Sequence, residues 1–115
     1  MMEATATTRH RDNVAVIDLA GRITLDGGLG TLRGAIKGLL GAGHKNILLN
    51  LAGVSYIDSA GLGELASAYI TVSNLGGQLK LINTQDRVRG MLNLTKLYTI
   101  LVTFSSEEAA LASFR

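Results

Sequence analysis

The chain has 115 residues, of which 47% are hydrophobic and 17% charged, and its formal net charge is +2. This composition indicates one folded domain, and no apolar run approaches the ~18 residues of a membrane span. The absence of cysteine excludes disulfides and thiolate metal sites. Tryptophan is absent and no basic run carries interleaved aromatics, so nucleic-acid binding is not predicted. The first residues lack the apolar core of a signal peptide, and we expect a cytoplasmic protein.

The N-terminal residues predict a hairpin. Residues 4–9 favour a short edge strand, because threonine suits extended structure. Arg11-Asp12-Asn13 is typical of a turn. Residues 14–20 are apolar except for Asp18 and predict a strand that ends at Gly21. The two strands should pair antiparallel.

A glycine-rich helix is predicted next, with Asp26 as its N-cap. Its apolar residues recur at helical spacing: Leu29, Leu32, Ile36, Leu39 and Leu40. Gly30, Gly34 and Gly38 share one face, which suggests close packing of the backbone on the sheet or on a partner. A dinucleotide-binding loop is disfavoured, because the next strand ends in Leu51 and not in an acidic residue.

The central stretch, residues 46–76, predicts a buried strand followed by a helix. Ile47, Leu48, Leu49 and Leu51 form a short apolar run, as in a strand covered on both faces. A turn should follow and lead into Asp58-Ser59-Ala60-Gly61. Beyond it, five residues recur at helical spacing, and the helix should stop at Gly76-Gly77: Leu62, Leu65, Tyr69, Val72 and Leu75.

The junction between this strand and this helix is the candidate site. Either Asp58 or Ser59 can serve as the N-cap, since both side chains accept from the free N–H groups of a helix start. A hydroxyl there, flanked by the small Ala60 and Gly61, is well placed to carry a phosphate. A plain capping serine is the alternative interpretation.

The C-terminal part predicts two more strands and two helices. Residues 79–82 form a buried strand, and Asn83 or Thr84 should cap a third helix. Residues 100–104 predict the last strand. Ser105-x-x-Glu108 then has the form of a capping box, opening a final helix that ends near Phe114. Strands that alternate with helices indicate an α/β domain with a mainly parallel sheet.

The sequence argues against an enzyme. Ser59 lacks the Gly-x-Ser-x-Gly surroundings of a nucleophile elbow. The only histidines, His10 and His44, should lie at the opposite edge of the sheet, and a nucleophilic serine needs a base within reach. No pair of histidine or acidic residues has ligand spacing, so no metal site is predicted. The remaining interpretation is a module that acts by binding a partner.

Val54-Ser-Tyr-Ile-Asp58-Ser59-Ala60-Gly61-Leu62-Gly63 resembles the signature of STAS domains, specifically of the bacterial anti-sigma factor antagonists. Weaker likenesses at Gly21-Arg22-Ile23, at Gly76-Gly77 and at Glu107-Glu108-Ala109 extend the resemblance over residues 13–114. It implies one STAS-like α/β domain spanning residues 1–115. That domain would have a four- to five-stranded mixed, mainly parallel sheet and about four helices.

The resemblance also implies a function. Unmodified, the chain would bind an anti-sigma factor that is a serine kinase and so release a sigma factor. Phosphorylation at Ser59 would end binding, and a phosphatase would reset the cycle. Magnesium and ATP would belong to the kinase, and the chain itself would hold no cofactor. The alternative is a STAS phospho-switch or interaction module in a transport or stress-sensing complex.

The implied partner-binding surface comprises eight residues around the junction: Thr24, Asp26, Asp58, Ser59, Ala60, Gly61, Leu62 and Glu64. The chain departs from the family pattern at Thr24 and Asn50, where acidic residues are frequent in the family.

Overall fold

Five strands form one mixed sheet in the computed structural model, which describes residues 4–114. Three helices and one 3-10 turn connect strands β2 to β5, and a fourth helix follows the last strand. The elements are, in chain order, β1 (Thr5–Arg11), β2 (Val14–Ile23), α1 (Leu29–Gly41), β3 (Asn46–Ile57), α2 (Ser59–Asn74), β4 (Gln78–Ile82), α3 (Asp86–Thr95), the 3-10 turn (Leu97–Thr99), β5 (Thr103–Phe104) and α4 (Glu107–Ser113). This architecture confirms the predicted fold class.

The strands lie in the order β1-β2-β3-β4-β5. β1 pairs antiparallel with β2, which confirms the predicted hairpin, and all other neighbours are parallel. Asp12 and Asn13 form the hairpin turn with φ of 51° and 68°. Two left-handed residues in a row match the twist of the flanking strands, and Asp and Asn tolerate that conformation well.

The core is divided between the two faces of the sheet, because successive strand residues point to opposite sides. The larger cluster lies under α1, α2 and α3 and includes Ile17, Leu49 and Leu81. The smaller cluster lies under α4 and includes Val16, Leu48, Ile82, Ala110 and Leu111.

Arginines of β1 tie the first strand to the last helix. Arg9 donates to both Asp18 and Glu107, with its Nη2 2.6 Å from Glu107 Oε1, and Arg11 Nη1 lies 2.7 Å from Glu107 Oε2. These bonds, chiefly those from Arg9, hold the pKa values of Glu107 and Asp18 below their usual range.

β3 is longer than the sequence predicted. The stretch after Leu51, expected as a turn, continues as strand to Ile57. Pairing with β2 is shifted twice and then resumes, with Arg22 opposite Tyr56 and Ile23 opposite Ile57. β3 therefore ends only one residue before α2 begins.

Only the last two residues of the predicted strand 100–104 are strand in the structure, because the chain has just left the 3-10 turn. Leu101 N still donates to Leu97 O at 2.9 Å, and only Thr103–Phe104 pairs with β4. The buried Leu101 supplies the apolar signal that the sequence pattern read as strand.

The caps predicted for α3 and α4 are also wrong. α3 begins at Asp86 after Gln85, and Asn83 instead has a left-handed φ of 59° with its amide donating to Asn50 Oδ1. α4 is capped by Ser106, whose Oγ accepts from Ala109 N at 3.2 Å. The capping box was thus placed one residue early.

The glycines on one face of α1 do not pack on the sheet. Gly30, Gly34 and Gly38 are exposed, and a Cβ at any of them would meet no atom within 4 Å. Within residues 4–114, no helix is long and apolar enough to cross a membrane.

Candidate functional site around Asp58 and Ser59

The candidate site lies at the carboxyl ends of β2 and β3, where α2 begins. In parallel α/β sheets this edge is where binding sites are commonly found. Only Asp58 separates the end of β3 from the first residue of α2.

Asp58 is the N-cap of α2, which resolves the choice that the sequence left open. Its backbone is extended, and its Oδ1 accepts from Gly61 N at 2.8 Å. Its second oxygen, Oδ2, accepts from the backbone N–H of Leu25 at 3.0 Å. The N–H of Leu25 and then that of Gly61 hold the pKa of Asp58 below its usual range. The carboxylate thus joins the helix start to the loop after β2.

Ser59 is the first residue of α2 and not its cap. Its side chain is exposed, and no hydrogen bond to its hydroxyl is found among residues 4–114. A free hydroxyl at the positive end of a helix dipole sits where added negative charge is favoured.

Gly61 allows α2 to start directly against the end of β2. A Cβ there would overlap the carbonyl oxygen of Ile23 and lie 2.6 Å from Ile57 Cγ1. By contrast, a Cβ on Gly63 would meet nothing within 4 Å. Of these two glycines in the motif, only the first is required by packing.

The loop after β2 is a tight turn that contacts Asp58, the residue before Ser59. Thr24 N donates to Gly27 O at 2.7 Å, and Gly27 N donates back to Thr24 O at 3.0 Å. Gly28 follows with φ of 94°, and a Cβ on it would overlap the carbonyl oxygen of Arg22. Gly28, and not the predicted Asp26, is the N-cap of α1, and it caps without a side-chain hydrogen bond. Asp26 is exposed within the turn.

Leu25 is a residue of this site that sequence reasoning missed. It lies between Thr24 and Asp26, and 73% of it is exposed although its backbone is held by Asp58. The available signal was an apolar residue between Thr24 and Asp26, outside every predicted strand and helix.

The other predicted partner-binding residues differ in what they expose. Gly61 and Leu62 are buried, so neither offers a side chain to a partner in this structure. Ala60 is half-buried beside Ser59. Glu64 is bound by Arg33 of α1, with Arg33 Nη2 2.6 Å from Glu64 Oε1 and only 11% of the Glu64 side chain exposed. Glu64 therefore links α1 to α2.

Asn50 makes contacts that an aspartate could not make. Its Nδ2 donates to Asp18 Oδ1 at 2.8 Å, and its Oδ1 accepts from Ala52 N and Asn83 Nδ2, each at 3.1 Å. An aspartate would have no donor and would place a second carboxylate against Asp18. Asn50, which departs from the family pattern, therefore suits Asp18 and its other neighbours better than an aspartate would.

The two histidines lie at the opposite end of the sheet, as predicted. His10 is opposite Ala15, which pairs with Ile47 at the start of β3, and the rings of His10 and His44 are 4.8 Å apart. Neither can act as a base for Ser59, which follows the far end of the same strand. Among residues 4–114, no group of three or more histidine or acidic residues could hold a metal ion.

Comparison with known proteins decides the family, because the model of the STAS domain matches residues 5–110. The chain belongs to the STAS domain family. A STAS relative from Thermotoga neapolitana, a TM1081 homologue provisionally named an anti-sigma factor antagonist, is 35% identical over 72 residues. These cover 63% of this chain and 64% of the relative, so the match spans slightly less than two thirds of that protein.

Solved STAS structures share the fold over nearly the whole chain. An anti-sigma factor antagonist from Mycobacterium paratuberculosis superposes with a TM-score of 0.87 at 21% identity, covering 98% of this chain and 95% of that one. The phosphorylated form of the Bacillus cell fate determinant SpoIIAA gives a TM-score of 0.68 at 20% identity, covering 91% and 96%. At these identities the likeness concerns the fold, and the phosphorylation of Ser59 in this STAS domain stays a prediction.

Proposed function

We propose that this STAS domain is an anti-sigma factor antagonist switched by phosphorylation of Ser59. In the unmodified state, the surface around Ser59 and the Thr24–Gly27 turn binds an anti-sigma factor that is a serine kinase, and a sigma factor is released. The kinase, acting in the cytoplasm with its own magnesium and ATP, phosphorylates Ser59 and ends the interaction. A phosphatase restores the binding state. The domain itself contributes a surface and no catalysis.

The observation that carries this proposal is the position of Ser59. Ser59 is exposed at the first position of α2 and its hydroxyl has no hydrogen-bond partner within residues 4–114, while Asp58 performs the capping. Modification therefore removes no hydrogen bond of the fold, and the domain can pass between both states without unfolding.

The size of the charge effects favours a switch of binding over a switch of folding. A phosphate adds about −1.5 to −2 charges at neutral pH. The helix terminus offsets roughly 0.3–1 kcal/mol of the electrostatic cost within the domain. Like charges brought together across an interface cost several kcal/mol. The second effect is the larger, and Asp58 and the exposed Asp26 add to it.

The comparisons support the general role. The Thermotoga neapolitana relative carries the name of an anti-sigma factor antagonist, and SpoIIAA has been solved in a phosphorylated form. Both facts belong to those proteins, and their transfer to this chain is part of the proposal.

A pull-down with purified anti-sigma factor kinases, with and without ATP, tests the proposal. The wild-type chain should be retained without ATP, gain one phosphate at Ser59 on incubation with ATP, and then be released. Ser59→Ala should be retained under both conditions. Ser67→Ala, which alters another exposed serine of α2, is the matched control and should behave as the wild type.

Two results would contradict the proposal. The first is phosphate on Ser55 or Ser67 with Ser59 unmodified. The second is a folded Ser59→Ala chain that binds no kinase without ATP. Capture of a transport or stress-sensing component instead would favour the alternative STAS module.

A further inference from the structure

Two histidines meet at the end of the domain that lies away from Ser59. His10 is on β1, and His44 lies between α1 and β3. They are the only histidines of the chain, and their ring centroids are 4.8 Å apart with the ring planes inclined by 46°. Their spacing in the sequence predicts no metal site, yet the fold places the two imidazoles side by side.

The alternation of β1 explains the position of His10. Successive strand residues point to opposite faces of a sheet. Arg9 and Arg11 both reach Glu107 of α4. His10, which lies between them, therefore points to the other face of the sheet, the one that α1 covers.

The backbone of His44 is fixed by the C-terminal end of α1. Gly43 follows the helix with a left-handed φ of 93°, and its N–H donates to Leu40 O at 3.0 Å. The N–H of His44 donates to Leu39 O at 2.9 Å, which completes a Schellman motif. The carbonyl oxygen of Lys45, the next residue, accepts from the first N–H of β4 at 3.0 Å. The backbone is therefore held on both sides of His44.

The imidazole nitrogens are open to a ligand. Both histidines are exposed, and within residues 4–114 neither ring has a hydrogen bond or an ion pair. They line a surface cavity of about 580 Å³. The outer torsion of a histidine side chain is broad, so each ring can turn a nitrogen toward a shared point. Two nitrogens that bind one metal ion at about 2.0–2.1 Å lie no more than about 4.2 Å apart, which ring centroids separated by 4.8 Å can satisfy.

The charges of this cavity nearly cancel. Its lining includes Arg11, Asp12 and Lys45. The guanidinium of Arg11 is paired with Glu107 and Glu108 of α4. The exposed carboxylate of Asp12 offsets the ammonium group of Lys45. In addition, the C-terminal end of α1, which carries no basic residue in its last turn, favours positive charge.

We propose that His10 and His44 jointly bind one divalent ion of the class of Zn²⁺, Ni²⁺ and Cu²⁺. Imidazole nitrogen suits these ions, whereas Mg²⁺ and Ca²⁺ prefer oxygen ligands. Two side chains leave the remaining coordination positions to water. The bound ion connects β1 to the loop after α1, so it stabilises the folded domain at the end opposite to Ser59.

Calorimetric titration with zinc chloride, in a buffer that does not bind metals, tests the site. The wild type should bind one zinc ion per chain, and magnesium chloride should give no binding. His10→Gln and His44→Gln should each weaken zinc binding roughly tenfold or more, since loss of even an outer-shell partner of a metal ligand costs about 10–100-fold in affinity. Lys37→Gln introduces the same side chain at another exposed position and should bind as the wild type.

The ring proton signals show whether both imidazoles take part. Because the chain has two histidines, added zinc should shift the ring signals of both in parallel, while the amide signal of Ser59 stays unchanged. Zinc should also raise the melting temperature of the wild type more than that of either histidine variant. The proposal is overturned if the wild type binds no zinc or if zinc shifts the signals of one ring only. It is equally overturned if folded His10→Gln and His44→Gln bind zinc like Lys37→Gln.

Discussion

The backbone N–H of Leu25 donates to the carboxylate of Asp58, a residue 33 positions later in the chain, at 3.0 Å. The same carboxylate caps α2 through Gly61. One side chain therefore fixes both the exposed Leu25 and the helix start that carries Ser59. The proposed contact surface and the proposed phosphorylation site are held by a single group.

Asp58→Asn should destabilise the domain by about 1 kcal/mol at neutral pH. The asparagine oxygen can replace one acceptor, but its NH₂ group then meets the other N–H donor. The pKa of Asp58 is lowered in the folded state, so its contribution is complete above the unfolded value near 3.9 and is lost as pH falls through the lowered folded value. Urea unfolding at pH 7 and pH 3 should show the gap to wild type shrinking at pH 3. Asp26→Asn changes the same charge on the neighbouring turn and should show little gap, whereas an equal Asp58→Asn gap at both pH values would exclude the mechanism.

Gly61→Ala and Gly63→Ala should change stability in opposite directions. The first methyl group would overlap the Ile23 carbonyl oxygen and press on Ile57, and overpacking of this kind costs about 1–3 kcal/mol. The second enters open space within a helix, where alanine is favoured over glycine by up to about 1 kcal/mol. Thermal unfolding of both variants measures the difference. Similar melting temperatures would mean that α2 can move away from β2.

Ser59→Asp and Ser59→Asn separate charge from shape. Both side chains have similar volumes and Ser59 does not cap the helix, so their stabilities should be close. Asp adds a negative charge beside Asp58 and should weaken kinase binding clearly more than Asn. The gap should shrink at high salt, where screening acts over roughly 3 Å at 1 M against 10 Å at 0.1 M. Calorimetry that shows both variants weakening kinase binding equally, at low and at high salt, would mean that the interface excludes any larger side chain at this position.

Leu25→Ala should weaken kinase binding while leaving the fold intact. We expect Leu25 to be one of the few side chains that anchor the interface, so its truncation should lower the affinity tenfold or more. Stability should change by less than about 0.5 kcal/mol because the side chain is exposed. Leu94→Ala is the matched control, since Leu94 is 79% exposed against 73% for Leu25 and lies on α3. If both variants bind alike, Leu25 is outside the interface.

The parts of the fold that depend on local periodicity could be predicted from the sequence. The apolar run of β3, the helical spacing of α2 and the stop at Gly76, whose φ is 83°, were all predictable from neighbours in the chain. The position of Ser59 at the junction followed from the same pattern.

The errors occur where a distant backbone or side chain decides the conformation. Residues after Leu51 remain strand because β2 offers a partner past two register shifts. Asn83 leaves its predicted capping role because Asn50 accepts from its amide. The link between Leu25 and Asp58 joins a backbone group to a side chain across two elements. No periodicity within a single segment reports such contacts.

The bonds between Arg9 and Glu107 join residues 98 positions apart. At a synthesis rate of about 5–20 residues per second, a ribosome needs roughly 5–20 seconds to travel that distance. Val16 and Leu48 are made early in this interval and Ile82 late in it, and none of them has α4 to cover it until the interval ends. The nascent chain thus exposes an apolar face of its sheet until α4 emerges from the ribosome. That face is where a chaperone would bind.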